Sequence, residues 1–286
     1  MQRYIVILLM LGAIWPHWAG AGAWSQAKGR YYAKVSGIFY TSDEVFDDMG
    51  DRAPAGMDGN KFESDQAFLY LEYGLRERLT LIGKVSGGEL VVEDDFVKQT
   101  TIGIGDLDMG AKYQLTNGPV VLAPYLNFKI PTGYHGDYEP ALGTDYTDLE
   151  LRLLAAHSLY PWPFYLGAET GYRFRGGPYS NQIPYFFEVG ATPHKRVFAK
   201  AYLEGMDTLT GEDESAGEVG ILQVSEGDFT KMGLNVAFKL QGPVWADLLW
   251  EGIVSGKNIG AGSSWGLGIS YILKEFTQEV EHEKTE

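Results

Sequence analysis

The sequence predicts an all-β chain: a transmembrane up-and-down antiparallel β-barrel of about 12 strands, with short periplasmic turns and long extracellular loops. Three observations carry that expectation. Apolar and polar side chains alternate with a period of two through most of the 286 residues. The alternating segments are about ten residues long, the length a tilted strand needs to cross a bilayer. Short and long connections also succeed one another without a break.

The chain opens with an expected signal peptide over residues 1–23. Gln2-Arg3 supply a short positive region, Tyr4 to Ile14 form an apolar run, and Ala21-Gly22-Ala23 offers a small-residue cleavage site. The run is short for a membrane anchor, and nothing after Trp24 approaches the length of a transmembrane helix. The expected barrel occupies 24–273 and an acidic periplasmic tail occupies 274–286. The address implied is the outer membrane of a Gram-negative-type bacterium.

Strands are expected near 30–40, 65–75, 78–87, 104–115, 119–130, 146–159, 163–175, 184–192, 196–207, 229–240, 243–254 and 264–273. In the second, Ala67, Leu69, Leu71, Tyr73 and Leu75 share one face, against Phe68, Tyr70, Glu72 and Gly74 on the other. In the ninth, Val197, Ala199, Ala201 and Leu203 oppose Phe198, Lys200, Tyr202 and Glu204. In the tenth, Met232, Leu234, Val236 and Phe238 oppose Lys231, Gly233, Asn235 and Ala237. The links after strands one, three, five, seven, nine and eleven are long. The others are short turns such as Thr116-Asn117-Gly118 and Gln241-Gly242. A soluble sandwich has no reason to keep that order, whereas a barrel in a membrane does.

A barrel puts the polar face inside. The lumen-lining candidates are Glu72, Asp106, Asp108, Lys112, Lys129, Glu150, Arg152, Glu169, Arg173, Glu188, Lys200, Glu204, Asp247 and Glu251. Further inward charges are Asp148 among the acids and Lys34, Lys84, Arg175, Lys231 and Lys239 among the bases. Acids and bases then balance, so the chain's net charge of −15 must lie in loops and tail, as in Asp43, Glu44, Asp47, Asp48 and Asp51 and in Glu212-Asp213-Glu214. With Phe68, Tyr70, Tyr125, Tyr165, Phe186, Phe198 and Tyr202 beside them, these side chains should leave a narrow, salt-bridge-laced bore. Paired interior charges need no transport role to explain them.

Four segments also resemble a known family: "GIGDLDMGAKYQL" (Gly103–Leu115), "KIPTG" (Lys129–Gly133), "GTDYTDLELRLL" (Gly143–Leu154) and "SGKNIGAGSSWGLGISY" (Ser255–Tyr271). Together they are similar to the outer-membrane protein family labelled "MetA-pathway of phenol degradation". The resemblance spans about Tyr31 to Leu273 and implies a transporter-like barrel that takes up hydrophobic or aromatic compounds. It brings no site residues. Many such barrels end on an aromatic read by the insertion machinery. Here "KEFTQEVEHEKTE" follows the last strand, which puts that signal inside the chain, around Tyr271 or Phe276.

The net negative charge excludes nucleic acid, whose phosphates need clustered Lys and Arg. The absence of cysteine excludes disulfides, thiolate metal sites and a Cys nucleophile. Of the histidines, His17 leaves with the signal peptide, His282 lies in the tail and His194 belongs to a turn. His157 and Ser158 are adjacent in a strand and face opposite ways, which defeats a nucleophile–base pair. His135 and Asp137 are better spaced for a rim-active hydrolase, but such a site needs carboxylates from another loop. The acidic loops read as solvated charge, and no EF-hand spacing stands behind a Ca²⁺ site. The glycines of Gly103–Gly110 and Gly260–Gly266 run into strands rather than helices, so they suit close packing in the wall and not phosphate binding.

No catalytic residues, metal or cofactor are therefore expected. The expected partners are outer-membrane lipid and lipopolysaccharide, the barrel-insertion machinery and a small-molecule solute. The function expected is a passive channel or uptake protein for small, hydrophobic or aromatic molecules. A non-transporting structural or surface barrel is the alternative, and a rim-active hydrolase the weaker one.

Overall fold

A computed structural model describes residues 22–55, 60–209 and 227–272. Most of the expected signal peptide, Glu212-Asp213-Glu214 and the acidic tail lie outside the described residues. The strands are β1 (Tyr31–Ser42), β2 (Glu44–Phe46), β3 (Arg52–Pro54), β4 (Lys61–Arg76), β5 (Leu79–Glu93), β6 (Lys98–Tyr113), β7 (Val120–Ile130) and β8 (Asp148–Ser158). They continue as β9 (Phe164–Phe174), β10 (Gln182–His194), β11 (Val197–Thr208), β12 (Asp228–Lys239), β13 (Val244–Lys257), β14 (Ile259–Gly260) and β15 (Ser263–Ile272). β1, β4 to β13 and β15 form one closed barrel. Each pairs antiparallel with its neighbours, and the wall closes where Tyr32–Thr41 of β1 meets Ile272–Ser263 of β15.

The barrel turns its greasy side outward. Val35, Leu71, Met109, Leu153, Leu203 and Leu267, taken around the circumference, are all exposed. Glu72, Lys112, Asp148, Glu150 and Asp247 are buried instead. That inversion is what a lipid surround selects, because water fails to reach the outer band and the polar groups must satisfy one another within. Closure leaves no strand edge to aggregate, provided each strand is paired along its whole length.

One strand is not. β6 pairs with β5 from Lys98 to Tyr113, but its ladder with β7 runs only from Leu107 to Lys112. Above Leu107 the free edge is covered by the segment 131–147. Thr132 Oγ1 donates to the Gly105 carbonyl at 2.9 Å and lies 3.1 Å from that of Ile104. Leu142 seats on Gly103, where an added Cβ would stand 2.5 Å from its Cδ1. A bulge marks the same point: Ser86 of β5 faces both Gly105 and Asp106, because Val85 opposes Leu107 and Gly87 opposes Ile104. The extra residue reverses the phase. Ile102 and Ile104 point outward, with Ile102 73% exposed, while Asp106 and Asp108 point in.

The sequence expectation differs at the outer rim. β4, β5 and β6 run on to Lys61, Glu93 and Lys98, well beyond residues 65, 87 and 104, because β1 pairs with β4 as far as Phe62 and the three strands keep pairing with one another to their ends. The first and last long loops also contain structure, a three-stranded sheet in the order β14-β2-β3. Its Phe46 and Ile259 join Tyr40, Phe62, Leu90, Ile253 and Ala261 in an apolar cluster at the outer mouth. Strands of two or three residues leave too little period for a sequence to announce them.

Inside the wall, aromatic rings lie over glycines of the adjoining strand. A Cβ on Gly190 would stand 2.0 Å from the Tyr165 ring. Here glycine is required by close approach rather than by a turn.

Candidate functional site

The site is the barrel interior, built in three storeys. The outer storey is largely apolar, lined by Tyr40, Leu90, Leu142, Met206, Phe229, Ile253 and Ile259. The cavity it opens into has a volume of about 540 Å³ and continues down to Gly22. That size suits a small organic solute.

The middle storey is a belt of ion pairs generated by strand register. Lys84 faces Asp108, Asp108 faces Lys129, Lys129 faces Asp148, Glu150 faces Arg173 and Glu204 faces Lys231 across adjacent strands. Opposite charges placed directly across a ladder attract, and their side chains point the same way. Glu150 sits between two guanidiniums, Arg152 Nε at 2.6 Å and Arg173 Nη2 at 2.6 Å, and Arg152 also reaches Glu169 at 3.4 Å. Lys231 joins Glu204 at 3.1 Å and Glu251 at 3.2 Å, while the Tyr202 hydroxyl donates to Glu251. Lys200 pairs with Glu188 at 3.1 Å and lies over the rings of Phe186 and Tyr202. Lys34 reaches Asp247 at 2.7 Å, and Asn235 Nδ2 donates to the same carboxylate at 2.9 Å.

Lys129 ties the belt to the free edge of β6. It pairs with Asp148 at 2.9 Å and Asp106 at 3.3 Å and donates to Thr144 at 2.8 Å. Asp106 in turn accepts from the Tyr134 hydroxyl at 2.5 Å. Burial, then that hydrogen bond to Asp106, holds the Tyr134 hydroxyl above its ordinary range, so it remains a donor. The segment 131–147 is therefore latched to the wall at Tyr134, Thr144 and Thr132.

The lower storey is a strap. Residues 22–29 lie against the lumen wall at the short-turn end of the barrel, and Ala23 packs among Val121, Ala123, Leu154 and Ala156. Gln26 Nε2 donates to Glu72 at 2.8 Å, and Lys112 Nζ donates to the Gly22 carbonyl at 3.0 Å. Lys112 and Glu72 also pair at 3.2 Å with their side chains 3% and 1% exposed, and the Tyr70 hydroxyl donates to Glu72 at 2.6 Å. Ser25 and Gln26 bond Gln114 and Thr80 through their backbone amides.

Every one of the fourteen candidate residues lies in an ion pair of 3.8 Å or less. They do not all meet the cavity. Glu72, Asp108, Lys112, Lys129, Glu150, Arg152, Glu169, Arg173, Glu204 and Glu251 line it. Asp106, Glu188, Lys200 and Asp247 stand behind it, among the groups that neutralise the lining. Sequence reasoning missed the strap and Asn127. The strap abuts the expected cleavage site, and a lone amide on a strand carries no pattern. The remaining histidines do not converge. His135 is exposed beside Tyr138, His157 Nδ1 lies 2.6 Å from the Pro119 carbonyl, and His194 ends β10, where it accepts from the Arg196 amide. Among the described residues no group of three His, Asp or Glu is placed to hold a metal ion. Asp47 of the first acidic loop instead closes its own turn on the amides of Met49 and Asp51.

No protein-family model and no curated protein matches the chain. Solved structures do. The COG4313 outer membrane channel from Pseudomonas putida F1 superposes with a TM-score of 0.71 at 15% identity, over 91% of this chain and 100% of that one. The NanC porin gives 0.54 at 8% identity, over 84% and 100% of the two chains. The KdgM porin gives 0.51 at 7% identity, over 84% and 99%. At such identities the likeness establishes the fold: a closed twelve-stranded barrel of the outer-membrane type.

Proposed function

We propose that the protein is a passive outer-membrane channel for small hydrophobic or aromatic molecules, exported by its N-terminal signal peptide and inserted with residues 22–29 toward the periplasm. The observation that carries this reading is the graded interior: an apolar outer mouth opening into a cavity of about 540 Å³ whose charges are mutually neutralised. A neutral arene entering such a bore meets no uncompensated field, whereas an open porin separates its charges across water. The resemblance of Gly103–Leu115 and Ser255–Tyr271 to the phenol-degradation family supports the same substrate class.

Residues 22–29 lie in the axial path, bonded to the wall at Glu72, Lys112, Thr80 and Gln114, so the exit we assign is lateral, through the seam between β6 and the segment 131–147. Ala141 and Leu142 of that segment line the cavity on one side and the free edge of β6 lies on the other. Displacing them joins the lumen to the lipid beside Ile102 and Ile104. The test is permeation of neutral arenes into proteoliposomes alongside single-channel conductance. Faster arene entry than in protein-free vesicles, with small ionic conductance, is the expected pair of results. A barrel that speeds no solute supports the second reading, a non-transporting surface barrel, which the strap bonded into one end of the bore favours.

A further inference from the structure

We propose that the Ala21–Gly22 peptide bond is the processing site of the exported chain, and that the ammonium left on Gly22 is a counter-ion of Glu169 inside the barrel. The proposal goes beyond the channel reading and does not depend on it, since it concerns how the strap is held.

The sequence offers the small-residue signal in two overlapping registers, as Ala19-Gly20-Ala21 and as Ala21-Gly22-Ala23. The wall distinguishes them. A chain starting at Trp24 would lose the Gly22 carbonyl that accepts from Lys112 at 3.0 Å. It would also lose the Ala23 methyl that fills the space among Val121, Ala123, Leu154 and Ala156. A start at Gly22 keeps both. Residues ahead of Gly22 have no comparable place: from Ala23 the strap leads away toward β1, whereas Gly22 itself lines the cavity. That cavity of about 540 Å³ suits one small organic molecule rather than residues 1–21.

Cleavage adds one water across the Ala21–Gly22 amide, leaving a carboxylate on Ala21 and an amine on Gly22 that is ordinarily protonated at neutral pH. The backbone fixes where that group lies. A Cβ placed on Gly22 would stand 3.4 Å from Glu169 Oε1. The α-nitrogen hangs from the same Cα, and a turn about the Cα–C bond, free in a terminal glycine, carries it into that place. Glu169 has room for it. Among the described residues its ion-pair partner is Arg152, through Nη1 at 3.4 Å, and the same guanidinium gives its Nε to Glu150 at 2.6 Å. The shortage is general, because eight Lys and Arg side chains serve ten carboxylates in the interior ion pairs. Arg175 and Lys239, inward by sequence, fall just past β9 and at the end of β12. Lys112, which holds the Gly22 carbonyl, is matched by Glu72 at 3.2 Å and so leaves Glu169 open to another cation. The ammonium brings the interior one charge closer to neutral. It also adds a charge-assisted bond at the head of the strap, beside those that Ser25 and Gln26 make farther along. An unprocessed chain carries no charge at Gly22, so removal of the leader and seating of the strap are linked.

The test uses the full-length chain exported in a Gram-negative host and extracted from its outer membrane in detergent. Intact mass should give Gly22 as the first residue. Amine labelling with an N-hydroxysuccinimide ester, read by peptide mass spectrometry, should then modify the Gly22 amine about tenfold or more slowly in the folded barrel than in urea, the worth of one charged hydrogen bond. Exposed Lys28 of the strap is the internal control and should label alike in both. Glu169→Gln should return Gly22 labelling most of the way to the unfolded rate. Any other first residue overturns the proposal, as does a Gly22 amine labelled as fast folded as unfolded. Protection that persists in Glu169→Gln overturns the pairing, and should that variant fail to fold, the wild-type rates decide. A barrel that passes no arene would count against the channel and leave each of these outcomes as it is.

Discussion

The strap's anchorage gives the sharpest test of how this interior is held. Glu72 and Lys112 pair at 3.2 Å with almost no exposure, and each also holds one strap residue, Gln26 and the Gly22 carbonyl respectively. Lys112→Met leaves the Glu72 carboxylate buried with only the Tyr70 and Gln26 donors, each a neutral group. Removing one partner of a buried ion pair typically costs about 3–5 kcal/mol, because the other charge is stranded. Glu72→Gln strands Lys112 in the same way, with the Gly22 carbonyl as its remaining acceptor.

If the two losses were independent, the double variant Glu72→Gln, Lys112→Met would cost about 6–10 kcal/mol by simple addition of that range. Neither side chain is charged in the double variant, and the new amide can accept from Gln26 through its oxygen while its NH2 donates to the Tyr70 hydroxyl oxygen. Its cost should fall to about 1–2 kcal/mol, near the worth of ordinary hydrogen bonds. The assay is urea unfolding of the barrel in lipid vesicles, read by tryptophan fluorescence, with protease trimming of residues 22–29 as the local readout. Both single variants should release the strap to protease more readily than the double. Additive costs would refute the coupling, and single variants costing under about 1 kcal/mol would refute the placement of a closed ion pair under the floor.

Gly190→Ala should destabilise the barrel by about 1–3 kcal/mol in the same unfolding assay, because the new methyl meets the Tyr165 ring. Gly83→Ala, whose methyl meets nothing within 4 Å, should be neutral or slightly stabilising. A cysteine pair at Gly103 and Leu142 should cross-link, because the Leu142 side chain points at Gly103, and the chain has no cysteine to compete. Oxidation should halt arene permeation in proteoliposomes and reduction restore it, while ionic conductance stays the same. The Tyr134 hydroxyl is held above its ordinary range, so the folded state favours its proton; that contribution is full below pH ~10 and lost as pH rises further. Alkaline titration should therefore expose the segment 131–147 to protease in wild type, and Tyr134→Phe should show the exposure already at neutral pH. Intact mass of the purified mature chain should place its first residue no later than Gly22, rather than at Trp24, because Gly22 and Ala23 are built into the lumen.

Much of the fold was legible because a membrane barrel repeats one rule. Once Leu69, Leu71 and Tyr73 are known to share a face with lipid, Tyr70 and Glu72 must point inward, and the same reasoning runs around all twelve barrel strands. The charges of the interior were legible for the same reason. Their partners were not, since Lys129 with Asp148 depends on a register that no single strand contains. The bulge at Gly105 and Asp106 was illegible in a different way. Within the single strand the period is unbroken from Asp106 to Tyr113, and the extra residue shows only against Ser86 across the ladder. The strap was hidden by context, because Ala21-Gly22-Ala23 matches a cleavage site so well that Gly22 and Ala23 read as discarded.

The same bulge connects the wall to the function proposed. A ladder between β6 and β7 that ran to the rim would leave no seam, and the segment 131–147 would have no edge to bind. The bulge turns Asp106 inward just where that ladder stops, so the carboxylate meets Lys129 and the Tyr134 hydroxyl together. The free edge begins where β7 ends at Ile130, before Pro131, and the bulge beside it supplies the group that latches the cover. A purely structural barrel gains nothing from such an arrangement: a continued ladder would satisfy the same backbone groups with no need of a buried Lys129 network. Sequence changes that restored pairing along the upper part of β6 should therefore stabilise the barrel and slow permeation together, and a barrel that gained stability with unchanged arene entry would place the route elsewhere.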